Sequence, residues 1–591
     1  MIRYLKVLLP ILFLLVSNCE EEPQEPEEEE IPPDTTPPIV EITAPLDGSA
    51  VFEIVTITCT ATDNDSVIKV DLWIDSDSTG LADTTAPFSF TWNVSAFEDS
   101  STYSLMVRAY DLNGNHADSE PVSVMVDNSI ALPVAPTLFP ITRDSSTITL
   151  HWSQNHDSDF QLCSLYESSS ADMSGASVVF SSDQQMDTSY VLDNFTEEQY
   201  KYYQVHIIDT LGLESWSNIE RISTHITFIK TFGGSNDDKS FSVTQTSDNG
   251  YAAVGHTYSY GAGQDAWLVK TDEHGNELWN NTYAFRINET ATYIIETADG
   301  GFVFTGSTFS FNQGYDLIII KTDGTGSQIW QEEYNDHVTS YLTAIGQCIQ
   351  ELPDGGFIVT GYSGFLGYDD IDMWTIRTNS DGDSQWNKLS YDLFNDWGYS
   401  LKLLNDGGFI LAGAKTFSSA EPSEVWLVKL DADGNEVWNQ HYGYTGADQA
   451  REVLVNDDGS LAIAGSLSFP TIKHFWLIKT DDQGNFLWSN IYGGGGDDVC
   501  YSAAITNDGG YILAGYTESY GNGSKDVWLV KTDENGEEEW NKTFGGAQNE
   551  IARSIHQTSD GGFIISGHTQ SYGNGMSDFY LIKTDPEGNV Y

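Results

Sequence analysis

From His225 to Tyr591 the chain consists of short runs in which apolar and polar residues alternate, cut at nearly even intervals by turns rich in Asp, Asn and Gly. Period-two alternation predicts β-strands. Asp-Gly between two such runs predicts a tight hairpin, because glycine supplies the positive φ that the turn needs. Asp-Gly stands at Asp299, Asp354, Asp406, Asp458, Asp508 and Asp560, with Asp248-Asn-Gly in the first copy. A second, longer period overlies the first, since Trp279, Trp330, Trp386, Trp438, Trp488 and Trp540 recur every 50 to 56 residues. One unit reads as four strands: ARSIHQTS (552–559), GFIISGHT, DFYLIKTD, and a fourth such as EEEWNKTFGG (537–546).

Four antiparallel strands per unit and seven copies of the first three predict a seven-bladed β-propeller over 225–591. The last copy reaches Tyr591 before its Trp position, while ITFIKTFGG (226–234) carries Phe228 where the other copies have Trp. That N-terminal strand is expected to complete the last blade and cover its edge.

Ahead of the repeat, two stretches alternate without sharing its period. Over 37–128, runs such as VFEIVTITCTAT, IKVDLWID and YSLMVRAYD predict a β-sandwich. The segments TATDNDSVIKVDLWID and VRAYDLNGNHADS resemble the bacterial immunoglobulin-like modules of surface proteins. Over 131–224, PVAPTLFPITRDSSTITLHWSQN and YVLDNFTEEQYKYYQVHIIDTLGLESWSN resemble a fibronectin type III domain, which implies Trp152 in the core and Tyr200 or Tyr202 at the corner before strand F. The expected fold is therefore all-β: two sandwich modules followed by a seven-bladed propeller closed by an N-terminal strand.

The first residues add an address. Arg3 and Lys6 precede the apolar run Val7 to Val16, too short to span a bilayer and laid out as an export signal over 1–19. VSNC resembles the lipobox of bacterial lipoproteins, which implies lipidation at Cys19. The Glu- and Pro-rich stretch 20–36 cannot bury a core and reads as an extended tether. An acidic run behind the cysteine also resembles the signal that sends lipoproteins to the outer face of the outer membrane. The expected location is the cell envelope, lipid-anchored, facing outward.

A formal charge of −63 over 591 residues disfavours nucleic acid and anionic membrane surfaces as partners. It leaves divalent cations, neutral glycans and proteins. Cys59, Cys163, Cys348 and Cys500 are too scattered for a disulfide framework or a thiolate metal site, and read as buried thiols. No cofactor is expected apart from calcium, for which Asp63, Asp65, Asp75 and Asp111 offer hard oxygen donors in turns that Asp also suits for conformational reasons.

Within the repeat, residues present in every copy read as structural. The Gly536-to-Trp540 spacing resembles the tryptophan-docking motif of quinoprotein propellers, in which Trp packs flat between blades. The interval from Asp533 to Gly536 is one residue shorter than in that family, and no adjacent cysteine pair is present to meet a quinone. Nor is this the sialidase Asp box, whose Gly stands three residues before Trp. The Lys-Thr-Asp run, with Lys or Arg in all seven copies, reads as a pairing that fixes a turn rather than seven acid/base couples.

Strand alternation places the loops after strand 4 and between strands 2 and 3 on one face. That face carries the candidate ligand-binding acids Asp238, Glu289, Asp396, Asp448, Asp498 and Glu550, with the third copy breaking the series at Thr343 and Ala344. It also carries the loops 259–265, 519–526 and 571–578, whose Tyr260, Tyr520 and Tyr572 are candidates for stacking on a sugar ring. The irregular segments 364–372, 417–424 and 468–474 are where specificity for an asymmetric partner is expected. The repeat as a whole resembles uncharacterised surface propellers with WLVKTDxxGxxxW-type repeats. The expected function is a non-catalytic cell-surface lipoprotein that binds a glycan or protein partner for adhesion, capture or scaffolding. The alternative is a polysaccharide hydrolase or lyase, which would need paired carboxylates converging on one face.

Overall fold

A computed structural model describes residues 34–128, 132–143, 147–157, 159–193, 195, 199–210, 212–310, 314–335, 342–364, 371–390, 394–418, 421–444, 446–469 and 471–591. Cys19, the leader and most of the tether lie outside these, as do the middles of the three irregular segments. The elements are β-strands, with no α-helix among the described residues.

The first module is a two-sheet sandwich. Ile39–Ala44, Ile54–Thr62 and Phe88–Asn93 form one sheet, and Thr102–Asp111 lies between Val67–Ile74 and Val122–Val126 in the other. Alternation decides the core: Phe88, Phe90 and Trp92 point inward from one strand, and Leu105, Val107 and Ala109 from another. Trp92, Phe97 and Tyr103 meet edge to face with centroids 5.1–5.5 Å apart.

In the second module, Ile148–His151 pairs with Thr142–Arg143 and Ser189–Leu192, while Phe160–Ser168 pairs with Ser177–Ser182 and Tyr200–Asp209. Trp152 is buried in its core. The core tyrosine of this strand is Tyr203. Tyr203 is fully buried and donates its hydroxyl to Glu167 at 2.7 Å. Tyr203, Val205 and Ile207 share the inner face, so the period of two turns the even-numbered tyrosines away.

The repeat begins with a sheet of Asp238–Gln245, Tyr251–Thr257, Asp265–Thr271 and Glu277–Tyr283, hydrogen-bonded in that order. The same order restarts at Asn288, Leu342, Asp396, Gln449, Asp498 and Glu550. The last unit contributes three strands, and its fourth place is filled by Phe228–Phe232, antiparallel to Asp578–Thr584 with Phe228 opposite Lys583.

Neighbouring units are joined at several levels. Ser242, Ser400 and Ser502 each accept a backbone N–H from the first strand of the following unit, Ile294, Val453 and Ile555, at 3.2–3.3 Å. Ser554 of the last unit does the same for Val243 of the first, at 3.4 Å. Short parallel bridges link Gln264 with Asn288 and Lys525 with Asn549, and another links Asp237 of the first unit with Ser577 of the last.

The repeated aromatics sit on these joints. Trp279, Trp330, Trp386 and Trp540 meet Phe302, Phe357, Phe409 and Phe563 of the next unit with centroids 5.9–6.2 Å apart. Each indole also lies against the glycine of the next unit's turn. At Gly536, where φ is +77°, an added Cβ would stand 2.6 Å from Trp488; at Gly275, where φ is +72°, the ring 2.6 Å away is Phe228. Phe228 thus does for the first unit what tryptophan does for the others.

The Lys-Thr-Asp run separates into two devices. Lys270, Lys321, Arg377, Lys429, Lys531 and Lys583 reach back to the aspartate of the Asp-Gly turn, Asp248, Asp299, Asp354, Asp406, Asp508 and Asp560, at 2.7–2.9 Å. Lys479 instead donates to the Tyr511 hydroxyl at 2.6 Å. The aspartate of the run caps its own turn, as when Asp533 Oδ1 accepts from the amides of Asn535 and Glu537.

Candidate functional site

The six repeated acids are not an open mouth. Asp238, Glu289, Asp396, Asp448, Asp498 and Glu550 all have 0% of their surface exposed. Glu550 accepts from the Gly546 amide at 2.7 Å on one oxygen, and from Thr569 Oγ1 and the Ser571 amide at 2.8 and 2.9 Å on the other. Asp238 is held the same way by Gly234, Thr257 and Ser259. Asp498 is held by Gly494, Thr517 and Ser519. Asp448 takes the amides of Tyr444 and Ser468, Asp396 takes Lys415, and Glu289 takes Arg286 N and Thr308. Five of these carboxylates clamp the bend after one unit to the end of strand 2 or the loop after it, Asp396 pairs with Lys415 at the end of strand 2, and all six have no exposed surface.

Tyr260, Tyr520 and Tyr572 remain 42–46% exposed. Their hydroxyls donate to the carbonyls of Gly233, Gly493 and Gly545 at 2.9–3.2 Å. One side of each ring rests on Trp267, Trp528 or Tyr580, with centroids 5.3–5.9 Å away. They are held in place and partly exposed. Beside the first of them, Asn236, Asp237, Tyr258, Gly261–Gly263 and Met576 line an open depression of about 520 Å³.

A different set of side chains converges on one cavity of about 110 Å³. The first strand of every unit carries a β-bulge at the same place, between Ser240 and Ser242, Ala291 and Tyr293, Gly346 and Cys348, Gly398 and Ser400, Ala450 and Glu452, Cys500 and Ser502, and Ala552 and Ser554. A bulge re-aims the extra residue. Here all seven extra residues, Phe241, Thr292, Gln347, Tyr399, Arg451, Tyr501 and Arg553, line that one cavity. Their backbone is repeated and their chemistry is not.

Around it the guanidinium of Arg451 lies 4.0 Å from the Tyr399 ring centroid, and that of Arg553 lies 4.0 Å from Tyr501. Glu452 is held by Lys402 Nζ at 2.8 Å and by Ser400 Oγ at 2.9 Å. Burial pushes the His556 imidazole down to about 4, against the pull of Glu452. The sequence reading passed over these residues because it followed what recurs. The available signal was the opposite one: a variable residue between two mostly small ones, at the same place in each copy.

At the first module, ligand atoms of Asp34, Asp63 and Asp111 lie within 4.8 Å of one another. Asp111 is fully buried and accepts the amides of Asn113 and Asn115. Asp63 Oδ1 and Asp34 Oδ2 have no hydrogen-bond partner. Asp65 stands beside this group and accepts from Asn113 Nδ2 at 3.3 Å. Asp75 does not join: it follows the far end of Val67–Ile74, with φ at +50°, and accepts the Ser104 amide. The donor set that the structure brings together is Asp34, Asp63 and Asp111: Asp34, from the expected tether, joins it, and Asp65 and Asp75 fall outside it. Cys59, Cys163, Cys348 and Cys500 are buried free thiols.

The class that these observations define is an all-β, multi-module protein with an immunoglobulin-like sandwich at its N-terminal side. Residues 38–107 match the family model of a bacterial Ig domain. No curated protein matches the chain. Among solved structures, it is similar to fibronectin(III)-like modules of Clostridium thermocellum CbhA, at 23% identity over 15% of this chain and 97% of that one, with a TM-score of 0.14. It is also similar to a puromycin hydrolase, at 14% identity over 60% of this chain and 53% of that one, with a TM-score of 0.41. A third similar structure is Sqt1 from Chaetomium thermophilum, at 9% identity over 60% of this chain and the full length of that one, with a TM-score of 0.35. The chain thus spans about half the length of the puromycin hydrolase.

Proposed function

We propose that the seven repeat sheets are the blades of a closed β-propeller, carried on an immunoglobulin-like and a fibronectin type III-like module and displayed at the cell surface from a lipidated Cys19. In this reading the propeller is a non-catalytic binding module for an extracellular glycan or protein partner. Support for closure comes from Phe228–Phe232 in the last sheet, from Ser554 meeting Val243, and from the Asp237–Ser577 bridge. The observation that carries the binding reading is the axial cavity: seven equivalent bulges present seven positions with five different residue types to one space. Identical blades need no such variety for packing, whereas recognition of an asymmetric ligand does.

The alternative, a glycan hydrolase or lyase, finds less support at this cavity. For a hydrolase, such chemistry takes two carboxylates facing one bond. Among the described residues that line the cavity the one carboxylate is Glu452, and it is committed to Lys402 and Ser400. The test is to present the full chain to glycan and protein arrays and to analyse the bound material afterwards. Retained ligand of unchanged mass is expected; released fragments would contradict the non-catalytic reading.

A second reading concerns the first module alone. Asp34, Asp63 and Asp111 are suited to a hard divalent cation such as calcium, since carboxylate oxygens converge there and two of them have no other partner. Calcium is expected to raise the melting temperature of the wild-type chain and not that of Asp63→Asn. Equal melting temperatures with calcium and with chelator would dispose of the site.

A further inference from the structure

The following deepens the binding reading by naming the chemistry of the ligand. Tyr399, Arg451, Tyr501, Arg553 and Phe241 occupy consecutive bulges and alternate aromatic with cationic. Arg451 stands 4.0 and 5.5 Å from the rings of Tyr399 and Tyr501, and Arg553 stands 4.0 and 5.7 Å from those of Tyr501 and Phe241. A guanidinium stacked by its face keeps its N–H edge available for partners in its plane.

Those edges meet little. Arg451 donates to the Gln449 side chain at 2.8 Å, and Arg553 Nε is buried without a hydrogen-bond partner. Among the described residues no carboxylate lies within ion-pair distance of either guanidinium, while Lys402 beside them takes Glu452. In a chain with 88 Asp and Glu against 25 Lys and Arg, two neighbouring arginines without a counter-charge are the exception. Two like charges in a confined space are unfavourable unless something negative joins them. Burial, with Arg451 adding to it, lowers the Arg553 pKa from its ordinary value, the direction expected of a cation lacking a counter-charge.

We propose that the axial cavity binds an oxyanion group, a carboxylate or sulfate, between Arg451 and Arg553, with Gln347 as further polar lining. The cavity, about 110 Å³, takes a small oxyanion group. The tyrosine faces nearest the arginines are already covered by the guanidiniums, so they offer a pyranose ring no platform beside the anion site. The acid therefore enters the cavity, and the body of an acidic sugar such as a uronate or a sulfated residue stays at the mouth. A free small anion offers the same chemistry without a body.

Calorimetric titration of the full chain at constant ionic strength, with acetate, sulfate, glucuronate and N-acetylglutamate against a chloride reference, tests this. Binding of acetate or sulfate is expected, with Arg451→Gln and Arg553→Gln each weakening it about tenfold or more. Arg451→Lys, which keeps the charge and loses the flat fork, is expected to fall between the two. Glucuronate binding more tightly than acetate identifies the acidic sugar, and equal affinities identify the free anion; both support the site. Tighter binding of N-acetylglutamate than of glucuronate overturns the sugar assignment. No heat with any of the four in the wild-type protein overturns the site. Array binding that survives both glutamine variants would overturn this inference and leave the proposed binding function standing. Anion binding without any array ligand would do the reverse.

Discussion

Glu550 and Arg553 are three residues apart on one strand and differ in everything that matters for function. Glu550 is sealed and saturated with amides and hydroxyls; Arg553 faces a shared cavity with an unpartnered nitrogen. Glu550→Gln exchanges a charged acceptor for a neutral one beside four donors. It is expected to cost about 1–3 kcal/mol in chemical denaturation and to leave array binding unchanged. Gly536→Ala sets a Cβ against Trp488 at a positive φ, and about 1–3 kcal/mol of destabilisation is expected. The acids were legible in the sequence as a recurring feature, but recurrence cannot tell a clamp from a contact. Only burial separates them. Residues 241, 292, 347, 399, 451, 501 and 553 were equally visible and drew no notice, because a bulge leaves no mark in a pattern of alternating residues.

At the level of elements, Phe228–Phe232 tests whether the repeat closes on itself. Phe228 is 7% exposed, opposite Lys583 in the last sheet and against Gly275 in the first unit. Phe228→Ala is expected to cost about 3–5 kcal/mol in denaturation, because it loosens two units at once. A loss below about 1 kcal/mol would mean that this strand is ornamental. Its role was readable from sequence, since Phe228 stands in the register of the tryptophans and the last copy lacks a fourth strand. The hairpin turns and the strand order were readable for the same reason: Asp-Gly and a strict period leave few alternatives. That Tyr203 is the core tyrosine of the second sandwich was not legible, because three tyrosines at 200, 202 and 203 straddle both faces of a strand and the phase of the alternation is set by the opposing sheet.

For the whole molecule, buried histidines link stability to pH. Burial, with help from Lys239, pushes His256 down to about 4; burial, with Arg553 and Lys239, pushes His568 down to about 3. The unfolded chain takes up these protons near pH 6.5 and the folded one does not, so stability is complete above that pH and falls as pH drops toward 4. Melting temperature is therefore expected to climb between pH 4 and 6.5 and to level off above. A His256→Asn, His568→Gln double variant is expected to flatten that climb. Below pH 4 the turn aspartates take over, since the Thr297 hydroxyl first and Lys321 second hold Asp299 down to about 2. The contribution of Asp299 is present above the unfolded carboxylate range and is lost as pH falls through about 2.

In the proposed function, what repeats builds the scaffold and what varies at a repeated place binds the ligand. The direct measurement is array binding by the wild-type chain, by Arg451→Gln, and by Glu550→Gln, each first confirmed folded by its melt. The account predicts that Arg451→Gln loses the ligand and Glu550→Gln keeps it. Loss in Glu550→Gln with full retention in Arg451→Gln would contradict it.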